Sequence, residues 1–120
     1  IMMDYFRIDD YIEKEVLLNN EILSPIAPIH YAIIKGNKNI VHNLVYYGCD
    51  IERKCGESGY TPLHLCAILD RKEMASLLIM YGAYVYETCK FGVDRMEMTI
   101  FDICEELCHY DFINSVCNID

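Results

Sequence analysis

From Ile26 to Tyr81 the apolar positions fall into short blocks that repeat. Pro28-Ile29-His30-Tyr31-Ala32-Ile33-Ile34 is followed by Ile40-Val41 and Leu44-Val45. Pro62-Leu63-His64-Leu65-Cys66-Ala67-Ile68-Leu69 is followed by a similar stripe, Met74-Ala75 with Leu77-Leu78. Apolar residues one turn apart with polar residues between them are the pattern of a helix that buries one face. Gly36-Asn37 and Asp70-Arg71 break each set in two, and Gly48 and Gly82 close each set with a residue suited to the left-handed end of a helix. The pattern predicts two helix pairs, the first made of Pro28–Lys35 and Asn39–Tyr47. Thr61 is placed to cap the next pair, with Pro62 at the first helical position, where its missing N–H costs nothing.

The two sets are in register. Ala27-Pro28-Ile29-His30-Tyr31-Ala32 lies 34 residues before Thr61-Pro62-Leu63-His64-Leu65-Cys66, and Gly48 precedes Gly82 by the same 34. This stretch resembles an ankyrin repeat, whose signature is T-P-L-H-x-A in a unit of about 33 residues. A weaker third unit starts at Thr99-Ile100-Phe101-Asp102-Ile103-Cys104, 38 residues after Thr61. Phe112-Ile113 and Val116-Cys117 repeat its second-helix stripe. The extra length implies about five inserted residues near Cys89–Val93. The proline, histidine and glycines are missing there, so this unit resembles a C-terminal cap. Residues 4–19, with Tyr11, Ile12, Glu15, Val16, Leu17 and Leu18, read as an N-terminal capping helix or half of a degenerate repeat.

The resemblance implies an all-α solenoid of helix-turn-helix units joined by finger loops. One domain, 1–120, divides into an N-terminal cap at 1–25, repeats at 26–58 and 59–93, and a divergent capping repeat at 94–120. A start at Ile1 suggests that upstream sequence is missing.

Composition narrows the class further. Apolar content of 53% excludes a disordered chain. No apolar run approaches the roughly 18 residues of a membrane span, and no signal-peptide pattern opens the chain. Seven cysteines, an odd number without C-x-x-C pairs, suggest free thiols in a reducing compartment, cytoplasmic or nuclear. Within that reading Cys66 and Cys104 are inward, while Cys55 and Cys89, in finger loops, are expected to react quickly. Net charge is −9, with both ends acidic and the repeats near neutral; residues 96–120 carry acids and no Lys or Arg. That disfavours nucleic acid and anionic membranes as partners. Self-association through the acidic ends stays open.

Candidate chemistry is thin. Cys104, Cys108, His109 and Cys117 could be considered for zinc. However, the repeat register puts Cys104 in the same small-residue slot as Cys66, and slots of successive units stack about 10 Å apart, against zinc–sulfur bonds of roughly 2.3 Å. His64 and Cys66 lie on different helix faces, which leaves no nucleophile–base pair. His30 and His64 fall on the family's structural histidine. No phosphate loop is present. The expectation is a protein without cofactor, metal or small-molecule substrate; a metal-dependent or cysteine-based enzyme is the rival reading.

The surface carries more. Where the family has small polar residues in its finger, this chain has Tyr84 and Tyr86 around Val85. In the family, fingers and inner helices grip protein partners. The resemblance therefore implies a partner-binding surface of Arg53, Lys54, Tyr60, Ile68, Leu69, Tyr84, Tyr86 and Phe91. The implied function is an interaction module: an adaptor, an inhibitor, a ubiquitin-ligase substrate arm or a scaffold fragment. Short irregular arrays of this style also resemble viral host-modulating and inhibitor-of-kappa-B-like proteins.

Overall fold

The computed structural model describes residues 8–117. Six helices form three pairs: α1 (Pro28–Lys35) with α2 (Lys38–Tyr46), α3 (Pro62–Leu69) with α4 (Lys72–Met80), and α5 (Ile100–Leu107) with α6 (Tyr110–Cys117). The first helices stack in one layer, α1 on α3 on α5, and the second helices in another, α2 on α4 on α6. Leu63, Leu65, Cys66, Ala67, Ala75 and Leu78 are fully buried because the middle pair is covered from both sides. Leu78 is the buried residue at the position of Leu44, and Leu77 is only half-buried, so the stripe of α4 lies one residue later than the expected Leu77-Leu78.

Two of the three inner helices start on the same device, while α1 has Ala27 at its N-cap and no side-chain cap bond. Thr61 and Thr99 cap α3 and α5 through their hydroxyls, which accept from the amides of His64 and Asp102. Each turn between paired helices needs one left-handed residue. Gly36 supplies it at φ +76°, Asp70 at +57° and Cys108 at +60°. The residue after that turn then reaches back to the preceding unit. Arg71 Nε and Nη2 donate to the carbonyls of Ile33 and Ile34 at 3.1 and 3.0 Å. His109 sits at the matching position, its Nδ1 2.9 Å from the carbonyl of Ala67.

The expected all-α fold and the N-terminal capping helix need correction. Among the described residues of 1–25 there is no helix; residues 4–7 of the expected one lie outside the described range. Instead β1 (Val16–Leu18) pairs antiparallel with β2 (Glu21–Leu23). Asn19 and Asn20 turn the hairpin at φ +50° and +67°, the left-handed pair that lets a two-residue connection match strand twist. The inserted residues after the second pair form another hairpin, β3 (Cys89–Phe91) with β4 (Met96–Met98). Between these two, Cys55 bridges Tyr60 in a minimal version of the same turn.

Candidate functional site

Two of the fingers are tied to the helices by histidine. Ala27 N–H donates to His30 Nδ1 at 2.9 Å, which leaves the proton on Nε2, 2.6 Å from the Arg53 carbonyl. Thr61 N–H and the Glu87 carbonyl hold His64 in the same way, both at 2.9 Å. Each imidazole therefore pins a finger 23 residues further on. Burial, the dominant cause, lowers the pKa of His30 to about 4 and lowers that of His64 as well. Both are neutral struts. In the third unit Asp102 stands in the histidine's place and closes only the local cap, accepting from Thr99 N at 3.1 Å.

Fingers are also tied to one another. Glu52 Oε2 accepts from the amide of Tyr84 at 2.8 Å. Gly56 N–H donates to the Pro25 carbonyl at 3.2 Å, and Lys90 N–H to the Ser58 carbonyl at 3.0 Å. Lys54 pairs with Glu87 at 3.0 Å, and Arg53 lies 4.0 Å over the Tyr11 ring.

The residues expected to bind a partner separate into two groups. Arg53, Lys54, Tyr84 and Tyr86 lie on the segments that lead into the two fingers, ahead of their hairpin turns. Tyr84 and Tyr86 are 55% and 62% exposed, and their rings meet edge-on with centroids 6.0 Å apart. Tyr86 also leans on Phe101 of α5 at 5.9 Å. Phe101 was not among the expected residues; its half-exposed place on the inner helix, 38 residues after Leu63, was the available signal.

Tyr60, Ile68 and Phe91 lie elsewhere, in a cleft of about 530 Å³ between the tips of the two hairpins. The expected exposure of Tyr60 and Ile68 is corrected: both are buried. Tyr60 Oη donates to Glu21 Oε1 at 2.8 Å, and the Ser58 hydroxyl donates to the other oxygen of that carboxylate. Burial raises the Tyr60 pKa, so the phenol stays protonated as the donor. Leu69 is half-buried against the core. Phe91 is half-buried at the cleft wall, with Val93 fully exposed at the hairpin tip.

The cysteines are all free thiols. Cys55 and Cys89 are buried, so their expected fast reaction is corrected; loss of hydration pushes each up to about 12. Cys108 and Cys117 are the exposed ones. His109, the histidine of the zinc candidates, is bonded to Ala67. Among the described residues no group of three His, Cys, Asp or Glu side chains could hold a metal ion. Among the same residues no helix is long and apolar enough to cross a membrane.

Stacked helix pairs, the middle one opened by Thr61-Pro62-Leu63-His64, separated by hairpin fingers, define a helical repeat protein. The family model for ankyrin repeats (3 copies) matches residues 10–89, and the chain belongs to that family. Protein phosphatase 1 regulatory subunit 27 from Mus musculus is 37% identical over 70 residues, 58% of this chain and 45% of that protein. Its Homo sapiens counterpart is 40% identical over 60 residues, 50% of this chain and 38% of that protein. Inversin from Canis lupus familiaris is 29% identical over 87 residues, 72% of this chain and 8% of that protein. The chain thus spans less than half the length of these curated relatives.

Proposed function

We propose that this chain is a non-catalytic protein-interaction module, an adaptor or inhibitor that docks a protein partner on its second finger and the adjoining face of α5. The observation that carries this reading is the aromatic group Tyr84, Tyr86 and Phe101. Two large side chains stay mostly exposed, yet Glu52 fixes the backbone beneath them and Phe101 fixes one ring. Aromatic anchors held in place before binding lose little freedom on docking, which is how hot spots work. Relatives named as phosphatase regulatory subunits support an adaptor role of this kind. The viral, host-modulating form of the role rests on repeat style alone, since the relatives named here are mammalian. Five buried thiols and two exposed ones, all unpaired, support a reducing compartment, cytoplasmic or nuclear. The same reading takes residues 1–120 as one interaction domain.

The test is affinity capture with the intact chain and with a Tyr84→Ala/Tyr86→Ala variant, scored on proteins retained by the first. Loss of about 2 kcal/mol or more of binding with an unchanged melting curve supports the surface. Normal retention with earlier melting makes the tyrosines structural.

A further inference from the structure

The 34-residue spacing sets Tyr46 against Met80 and Tyr47 against Tyr81. Tyr46 and Met80 are the last residues of α2 and α4, and Tyr47 and Tyr81 are the C-caps that follow them. All four stand out from the ends of the second helices: Tyr46 is 65% exposed, Tyr47 75%, Met80 73% and Tyr81 48%. A missing neighbour does not account for this. Met80 and Tyr81 belong to the middle pair, which has a helix pair stacked on either side. The rings of Tyr46 and Tyr47 meet at 87° with centroids 5.1 Å apart, so together they form an open corner.

The surroundings narrow what can sit there. Neither residues 43–49 nor residues 77–83 include a charged side chain, in a chain whose net charge is −9. A charged partner segment would give up hydration at this stripe without finding a counter-ion. The last turn of each helix is already closed: Gly48 and Cys49 donate to the Val45 and Leu44 carbonyls, and Gly82 and Ala83 to those of Ile79 and Leu78. The stripe therefore offers ring faces and phenol donors, but no strand edge for an added β-strand. Its exposed side chains amount to roughly 500 Å². Each partner in a standard interface contributes about 800 Å², so the stripe is too small for a second copy of this chain. It is the size that a short segment covers.

We propose that this stripe binds an uncharged, proline-rich segment of a protein partner in the polyproline II conformation. Such a segment carries pyrrolidine rings for the aromatic faces and carbonyls that accept from phenols, and it needs no strand edge. The repeat distance fits as well. Stacked helices lie about 8–10 Å apart, which separates Tyr47 from Tyr81 by a similar distance. One turn of polyproline II is three residues at about 3.1 Å each, or about 9 Å. Prolines three positions apart therefore meet the Tyr46–Tyr47 corner and the Tyr81 ring in step. The stripe belongs to the ends of α2 and α4 rather than to the second finger and α5, so it stands whether or not the finger site binds.

The test is fluorescence polarisation of a labelled peptide of about nine residues, with proline at every third position and uncharged residues between, added to the full chain. The expected result is saturable binding that changes by less than about twofold between low and physiological salt, since no charges pair. The same peptide with alanine in place of each proline should bind at least about tenfold more weakly. Tyr47→Ala with Tyr81→Ala should cost at least about tenfold, and so should Tyr46→Lys, at a mostly exposed position. Tyr84→Ala with Tyr86→Ala should bind the peptide as the parent does. Circular dichroism shows which variants keep the fold. Absence of saturable binding overturns the proposal, as does equal binding of the alanine peptide. Folded Tyr47→Ala/Tyr81→Ala or Tyr46→Lys protein that binds as the parent does would overturn it too.

Discussion

Glu52 on the first finger accepts a hydrogen bond from the backbone amide of Tyr84 on the second, at 2.8 Å. The same bond occurs one unit earlier, where Asp9 Oδ1 accepts from the amide of Asp50 at 2.7 Å. Asp50 and Tyr84 are 34 residues apart, and both open a finger. In the first finger Asp50 also accepts from Glu52 N–H at 2.9 Å, a local turn of its own. Tyr84 has no carboxylate with which to do that. The second finger therefore depends on an acid lent by its neighbour, which leaves its own side chains free to be aromatic.

Glu52→Ala should loosen the second finger without unfolding the helices. An exposed charge-assisted bond of this type contributes on the order of 1 kcal/mol. Hydrogen exchange should quicken at the Tyr84 amide and remain slow at Leu78. Unchanged exchange at Tyr84 would show that the tyrosines hold the finger by themselves.

Much of the frame could be read from Thr61-Pro62-Leu63-His64 because cap, proline, core residue and strut occupy four consecutive positions. Physical chemistry assigns each of them locally. The N-terminal segment misled because Tyr11, Ile12, Val16 and Leu17 fit a helical stripe. The signal against a helix was Asn19-Asn20 between Val16-Leu17-Leu18 and Glu21-Ile22-Leu23, which favours a tight hairpin. Tyr60 could not be placed from sequence: its burial rests on Glu21, a partner 39 residues away. The split of the expected surface has the same cause. Which side of a finger faces the cleft is set by finger-to-finger bonds such as Lys90 N–H to Ser58, which leave no local pattern.

The neutral histidine struts make stability depend on pH in a defined direction. His30 has an ordinary pKa of 6.5 and is held at about 4 in the fold. Between those values the unfolded chain binds the proton and the folded chain does not. Stability is therefore full above pH 6.5 and falls as the pH drops towards 4, by about 3 kcal/mol for this group. His64 shifts the same way and adds to the loss. Urea midpoints measured from pH 7 to pH 4.5 should decline more steeply for the intact chain than for His30→Gln. Parallel slopes would mean that His30 is protonated in the fold.

Thiol reactivity separates two cysteines from five. Cys108 and Cys117 are exposed and should react with an aromatic disulfide reagent at once. Burial raises Cys49 to about 11 and Cys104 to about 12, alongside Cys55 and Cys89 at about 12. Cys66 is raised too, by burial. Those five lack both access and thiolate, so they should react only as the chain opens. Peptide mapping that finds Cys55 or Cys89 among the fast thiols would show that the fingers open without the helices.

The turn between α5 and α6 carries a cost that the other two units avoid or reduce. Cys108 holds φ at +60°, where Gly36 has the same role in the first unit and Asp70 in the second. A residue with a Cβ loses roughly 1–2 kcal/mol in the left-handed region, and glycine gives back part of that through its freedom in the unfolded chain. Cys108→Gly should therefore stabilise the domain by about 0.5–1 kcal/mol. The thiol gives up little, since it is exposed and its contact with the Tyr110 hydroxyl is 3.7 Å long. Asp70→Gly should gain much less. Aspartate tolerates the left-handed region, and here it also lies 3.8 Å from the Lys72 ammonium. Denaturation midpoints of both variants against the parent decide the matter. Equal gains would place the strain in the backbone alone, and a loss in Cys108→Gly would show that the side chain anchors α6.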